Sequence, residues 1–181
     1  MGSGNRKIKT KFLIYIKGAR FMSIFFNPDE ILEMAEQIER NGARFYEKAS
    51  QQVQEEGAKK LLLELAAMEK AHEKTFTQMR ANLSQEEIDF KADEQTSAYL
   101  KAWADGQVFD RKSDPVTRIK PDLNLKEILK IAIELEKESI VFYSGLKNGV
   151  NNKKYRERIE EIIREEMGHI VYLNNKLSGI K

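Results

Sequence analysis

Two short stretches carry the residues best suited to chemistry, Glu69-Lys70-Ala71-His72 and Glu166-Met167-Gly168-His169. Each is a Glu-x-x-His, and between them they contain both histidines of the 181-residue chain. Positions i and i+3 of a helix share a face. Each stretch can therefore aim a carboxylate and an imidazole at one point, and a metal ion is the simplest partner for both. The two stretches are 97 residues apart. The same offset relates Glu39 to Glu136, Phe45-Tyr46 to Phe142-Tyr143, Phe26-Asn27 to Leu123-Asn124, and Glu30-Ile31 to Glu127-Ile128. A two-helix unit is repeated without a gap, with a long connection left over between the copies.

Six residues then converge: Glu39, Glu69, His72, Glu136, Glu166 and His169. Their four carboxylates balance two divalent cations. Four bare carboxylates in a bundle core would be costly, or would take up protons instead. Mixed carboxylate and imidazole ligation suits iron or manganese better than a thiolate-seeking metal. Glutamate is about one residue in eight, so a single Glu-x-x-His is unremarkable. That both histidines follow a glutamate by three has a chance probability on the order of one in a hundred. The shared offset of Glu39 and Glu136 lowers it further. Glu36, Glu73, Glu134, Glu138 and Glu165 are read as surface groups or as supports to the ligands.

Tyr46 and Tyr143 stand seven residues after Glu39 and Glu136, nearly two turns, each above its own glutamate on the inward face. They either hydrogen-bond a ligand carboxylate or relay an electron, or are core aromatics with satisfied hydroxyls. Phe45 and Phe142 are read as core. Gly42 and Ser139, three residues after the same glutamates, leave room beside the metals for a small oxidant or allow close helix packing.

The elements that must position these groups are helices. Asn27, Pro28 and Glu30 form a capping signal, with Phe26 and Ile31 as a hydrophobic staple, for a first helix running to about Gln54. Gly57 marks a turn before a second helix over 58–81, with Leu61, Leu65, Met68, His72 and Thr75 on one stripe. Residues 82–123 form the connection. It holds a helix start at Ser84–Glu87, a short helix over 93–104 stopped at Gly106 with Leu100 and Trp103 inward, and breaks at Pro115 and Pro121. A third long helix opens at Asn124 and ends near Lys147. A fourth runs over 153–177 and stops before Gly179. The expectation is an all-α four-helix bundle whose long crossover frees the third helix from lying antiparallel to the second.

Composition narrows the function. There is no cysteine, which excludes disulfides, iron–sulfur ligation and thiol chemistry and fits a reducing cytoplasm. The net charge is +2, but residues 1–21 hold six basic residues and no acid, so the remainder carries −4. A nucleic-acid role is not expected. No stretch reaches the apolar length of a membrane span. Residues 1–21 are a basic arm, residues foreign to the natural chain, or an upstream extension of a chain that begins at Met22. The repeat starts only at Phe26, which favours the last two. The domain is placed at residues 22–181.

The motifs Glu39-x-x-Gly42-x-x-Phe45-Tyr46, Glu69-x-x-His72, Glu136-x-x-Ser139-x-x-Phe142-Tyr143 and Glu166-x-x-His169 resemble the rubrerythrin-like branch of the ferritin-like superfamily over residues 27–177. The resemblance implies a ferritin-like bundle holding two iron ions, with manganese or zinc as substitutes. Glu69 and Glu166 would bridge the ions, Glu39 and His72 would complete one, and Glu136 and His169 the other. It implies reduction of hydrogen peroxide, or less efficiently dioxygen. Two departures stand out. Rubrerythrins proper carry a four-cysteine rubredoxin domain, so here the electron donor would be a separate protein such as a rubredoxin. They also carry an extra glutamate where this chain has Ser139, so the family's redox-linked ligand exchange is not carried over. The family often pairs its bundles, which makes a homodimer the expectation. Two further functions use the same residues: a ferroxidase or iron-storage subunit, and a module whose metals only hold the bundle together.

Overall fold

The chain begins its first helix where a side chain can satisfy the free backbone N–H groups. In the computed structural model, which describes residues 26–107 and 114–180, Asn27 Oδ1 accepts from Glu30 N at 2.9 Å and Glu30 Oε2 accepts from Asn27 N at 3.0 Å. Asn124 and Glu127 repeat this reciprocal cap at 3.0 and 2.9 Å, and Ser84 with Glu87 at 3.2 and 2.7 Å. Such caps settle orphan donors and put negative charge at the positive end of the helix dipole. The long helices are α1 (Pro28–Ser50), α2 (Glu56–Ala81), α5 (Leu125–Gly149) and α6 (Lys153–Ser178). The connection holds α3 (Gln85–Asp89), α4 (Glu94–Gln107) and a 3₁₀ turn at Pro115–Arg118. Among the described residues there is no strand, and no helix is long and apolar enough to cross a membrane. The basic segment 1–21 lies outside the described residues.

Two apolar clusters show how the helices run. One joins Ile31 and Met34 of α1, Phe76 and Met79 of α2, Phe142 and Leu146 of α5, and Ile159 and Ile162 of α6. The other joins Phe45 and Ala49, Leu61 and Leu65, Ile128 and Leu129, and Leu173. The start of α1 thus meets the ends of α2 and α5 and the start of α6. Helices α1 and α6 run one way, α2 and α5 the other. α1 packs chiefly on α2 and α5 on α6, with α1–α5 and α2–α6 closing the ring. Short turns enforce the antiparallel pairs, and the long connection carries the chain across so that α5 runs parallel to α2. The middle of each long helix, between the clusters, carries the acidic and imidazole residues.

Several boundaries differ from the sequence expectation. α1 ends at Ser50 rather than near Gln54. Gln51 and Gln52 close i→i+3 bonds to Lys48 and Ala49 at 3.2 and 3.0 Å, a tight exit that returns Val53 to the core. Glu55 then caps α2 through Gly57 N at 3.0 Å and Ala58 N at 2.9 Å, so Gly57 lies in the first turn instead of marking the loop. The buried stripe of α2 runs Leu61, Leu65, Glu69, His72, Phe76, Met79. Met68 is 41% exposed and Thr75 only half-buried. A strict 3–4 alternation slips about 20° per heptad on a straight helix, which carried Met68 and Thr75 off the face. α4 continues through Gly106, and α5 through Asn148-Gly149.

The connection is fastened to the bundle through α4. Leu100 is fully buried, and Trp103 packs on Phe142 with ring centroids 4.5 Å apart. Tyr99 Oη donates to the Val141 carbonyl. This approach requires a glycine on α5, because a Cβ at Gly145 would lie 2.3 Å from Tyr99 Cε1. Gly145→Ala is expected to push the Tyr99 ring off α5. Overpacking of about 1–3 kcal/mol outweighs a helix-propensity gain of about 1 kcal/mol. The urea midpoint should fall; a rise would show that Tyr99 swings out at no cost.

Candidate metal centre

All six residues singled out in the sequence come together at mid-bundle. Glu39, Glu136 and Glu166 are 1%, 2% and 0% exposed, Glu69 is 5%, His72 is 1% and His169 is 3%. Donor atoms of Glu39, Glu69, His72 and Glu166 all lie within 4.8 Å of one another, as do those of Glu69, Glu136, Glu166 and His169. Glu69 and Glu166 belong to both sets. The imidazole rings lie nearly parallel, 6.2 Å apart. Each presents Nδ1 inward: His72 Nδ1 is 3.0 Å from Glu166 Oε1, and His169 Nδ1 is 2.7 Å from Glu166 Oε2.

These close approaches are not hydrogen bonds. Glu39 Oε2, both Glu166 oxygens, and Nδ1 of His72 and of His169 are buried without a hydrogen-bond partner among the described residues. Buried polar atoms are nearly always satisfied, so a cluster of unsatisfied ones requires an explanation. Carboxylate oxygens and imidazole nitrogens converging on two points are a donor set that fits two cations of hard or borderline character.

The electrostatics of the metal-free cluster point the same way. Burial, reinforced by the neighbouring carboxylates, raises Glu39 and Glu69 far above the ordinary range. Burial also raises Glu136, to about 7, although His169 opposes it. Burial works against the charge of Glu166 too, but His169 and His72 overcome it and hold that carboxyl near 2. Burial would lower both imidazoles; the adjacent carboxylates, Glu166 foremost for His72 and Glu136 for His169, instead raise them to about 9 and about 10. Without a cation the cluster is held together by retained protons, which a cation of higher charge can replace.

The tyrosines pair across the bundle. Tyr46 on α1 donates to Glu136 on α5, and Tyr143 on α5 donates to Glu39 on α1. Neither meets the glutamate seven residues before it, where the helical register alone would place it. Burial, with the adjacent carboxylates, keeps both phenols well above their ordinary pKa, so each stays a neutral donor. Tyr46→Phe and Tyr143→Phe are each expected to weaken divalent metal binding about 10–100-fold, with helix content unchanged. Competition against a chelator measures this. Unaltered affinity would reduce the tyrosines to core packing.

Of the five glutamates set apart from the ligands, four serve other pairs: Glu36 with Arg80, Glu73 with Arg40, Glu134 with Lys137, and Glu138 with Arg118. The fifth, Glu165, lies 2.7 Å from His72 Nε2, and Arg158 donates to its other oxygen at 3.0 Å. Arg158 had no place in the sequence expectation. Its one signal was a spacing of seven residues from Glu165 on the same helix. Gly42 has a reason in packing, since a Cβ there would sit 3.1 Å from Glu69 Cδ. Gly42 and Ser139 also line a cavity of about 50 Å³ that reaches Glu69, Glu136 and Tyr46.

A four-helix bundle with one long crossover and a buried belt of four glutamates and two histidines defines the ferritin-like diiron-carboxylate class. The rubrerythrin family model matches residues 30–176, and the chain belongs to the rubrerythrin family. It is similar in structure to a protein of Thermotoga maritima described as ferritin-like and diiron-carboxylate. The TM-score is 0.68 and the identity 31%, over 86% of this chain and 97% of the other. No curated protein matches the chain. With no cysteine in the sequence, no rubredoxin-type iron site lies within it.

Proposed function

We propose that this protein is a non-haem di-iron oxidoreductase that reduces hydrogen peroxide or dioxygen with electrons from a separate donor protein. The observation that carries this is the sharing of Glu69 and Glu166 by two four-donor sets at the buried centre of the bundle. Glu39 and His72 would complete one iron, and Glu136 and His169 the other. Two iron ions held this way would supply two reducing equivalents and Lewis acidity at adjacent points. Reduction of one peroxide to two waters consumes two electrons and two protons, so the electron count matches the pair.

The chain's own groups do the rest. Tyr46, Tyr143 and Glu165 hold ligand side chains in place. The cavity beside Gly42 and Ser139, about 50 Å³ in volume, gives a small oxidant a place beside Glu69 and Glu136. About 10–15 Å³ of such volume holds one water, so there is room for a few water-sized molecules.

The test is to load the protein with ferrous iron under anaerobic conditions, count iron per chain, add peroxide, and then supply reduced rubredoxin. The expected result is about two irons per chain, a ferric absorption band on adding peroxide, and turnover only with the donor present. Absence of stoichiometric metal would defeat the proposal. Oxidation once per iron, without donor-dependent turnover and in a many-subunit shell, would favour iron storage instead.

A further inference from the structure

The internal repeat predicts two equivalent halves, and the structure departs from this at one residue. His72 Nε2 faces Glu165 Oε2 at 2.7 Å. Glu165 Oε1 in turn accepts from Arg158 Nη1 at 3.0 Å, and Arg158 is steadied by Glu161 at 2.9 Å. His169 Nε2, its counterpart, is buried with no hydrogen-bond partner among the described residues. The 97-residue offset explains the difference. Glu165 corresponds to Met68 and Arg158 to Leu61. The chain of carboxylate and guanidinium behind one imidazole is replaced by a thioether and an isobutyl group in the other repeat.

An imidazole whose outer nitrogen donates to a carboxylate is fixed in tautomer and ring orientation, and its inner nitrogen becomes a stronger donor. Among the described residues, only His72 has this support. Building on the di-metal reading above, we infer that the two metal positions are unequal: Glu165 is a positioning residue that makes the Glu39–His72 half the tighter one, filled first. The Glu136–His169 half is the weaker and more readily exchanged position. Support from such an outer carboxylate contributes about 10–100-fold in metal affinity.

The test uses cobalt(II) as probe, at half an equivalent per chain, and anomalous diffraction to measure occupancy at each half. This ratio is not distorted by repulsion between two bound ions, because few chains hold two. Wild type should show cobalt beside His72 at least tenfold over His169. Glu165→Met, which copies the other half, should bring the ratio close to one. Glu165→Gln, which keeps an acceptor but not the charge, should fall between. Glu165 lies 41% exposed, so neither change threatens the core, and a merely structural role would lower both occupancies together. Equal occupancy in wild type, or a preference unchanged in Glu165→Met, would overturn the inference and leave the di-metal centre standing. Cobalt at neither half, in crystals or by titration in solution, would remove the di-metal reading and this inference with it.

Discussion

Glu69→Ala is expected to bind fewer than one metal ion per chain and to lose peroxide turnover to background, while the metal-free protein melts within a few degrees of wild type. Glu69 belongs to both donor sets, so its removal opens each at once, whereas loss of Glu39 or His72 opens one. In the metal-free protein two effects of similar size oppose each other. The lost side-chain packing costs about 1–2 kcal/mol. The variant also sheds a buried carboxyl beside other carboxylates, which in wild type must stay protonated, and that relief is about 1–3 kcal/mol. Iron analysis after desalting, peroxide assay with reduced donor, and thermal melts by circular dichroism together check this. Full turnover in the variant would remove Glu69 from the site. A collapsed melt without metal would mean the carboxyl supports the fold itself.

The second large effect is on stability, and it depends on pH. Glu39 and Glu69 are raised well above 4.5 and Glu136 to about 7. A raised group contributes stability that is full below its unfolded pKa and lost as pH climbs through the folded value. His72 and His169, raised from 6.5 to about 9 and about 10, add their losses at higher pH. Glu166, lowered to about 2, has the opposite sign, but its contribution fades only in strong acid. Metal-free protein should therefore lose stability as pH rises from about 5 to 10. Metal needs the same groups deprotonated, so its binding strengthens over that range. At a thousandfold excess over Kd, binding adds about 4 kcal/mol, or about 10 °C for a domain of this size. Melts with chelator and with ferrous iron, both without air, should show a metal increment of this order at pH 8 and a much smaller one at pH 5.5. An increment independent of pH, or larger in acid, would mean that metal does not replace protons at these residues.

Both effects trace to residues that stand out by type and spacing alone. Asn27, Glu30, Asn124 and Glu127 cap their helices as their types and spacing require, because capping is local. The two Glu-x-x-His stretches and their common offset marked the six groups, because i and i+3 share a helical face whatever surrounds the helix. Identification of α2's buried stripe failed at Met68 and Thr75 because packing in a bundle selects among near-equivalent faces about 20° apart. The ends of α1 and α5 moved because neighbouring elements, Val53 returning to the core and Gly149 against Ile31, decide where a helix stops.

The chain alone determined that there would be four long helices, a repeated unit, and a belt of four carboxylates and two imidazoles. Those follow from period, capping and charge, which act within a few residues. Tertiary structure decided who supports whom. The tyrosines cross to the opposite glutamates because α1 and α5 run antiparallel, which turns a step of seven residues along one helix toward the other's ligand. Glu165 stands behind a histidine because α2 and α6 pack together at the centre and bring it to His72. Local sequence carries no information on which edges meet; burial of apolar surface over the whole bundle sets that, and so turns the difference between Glu165 and Met68 into a difference between the two histidines.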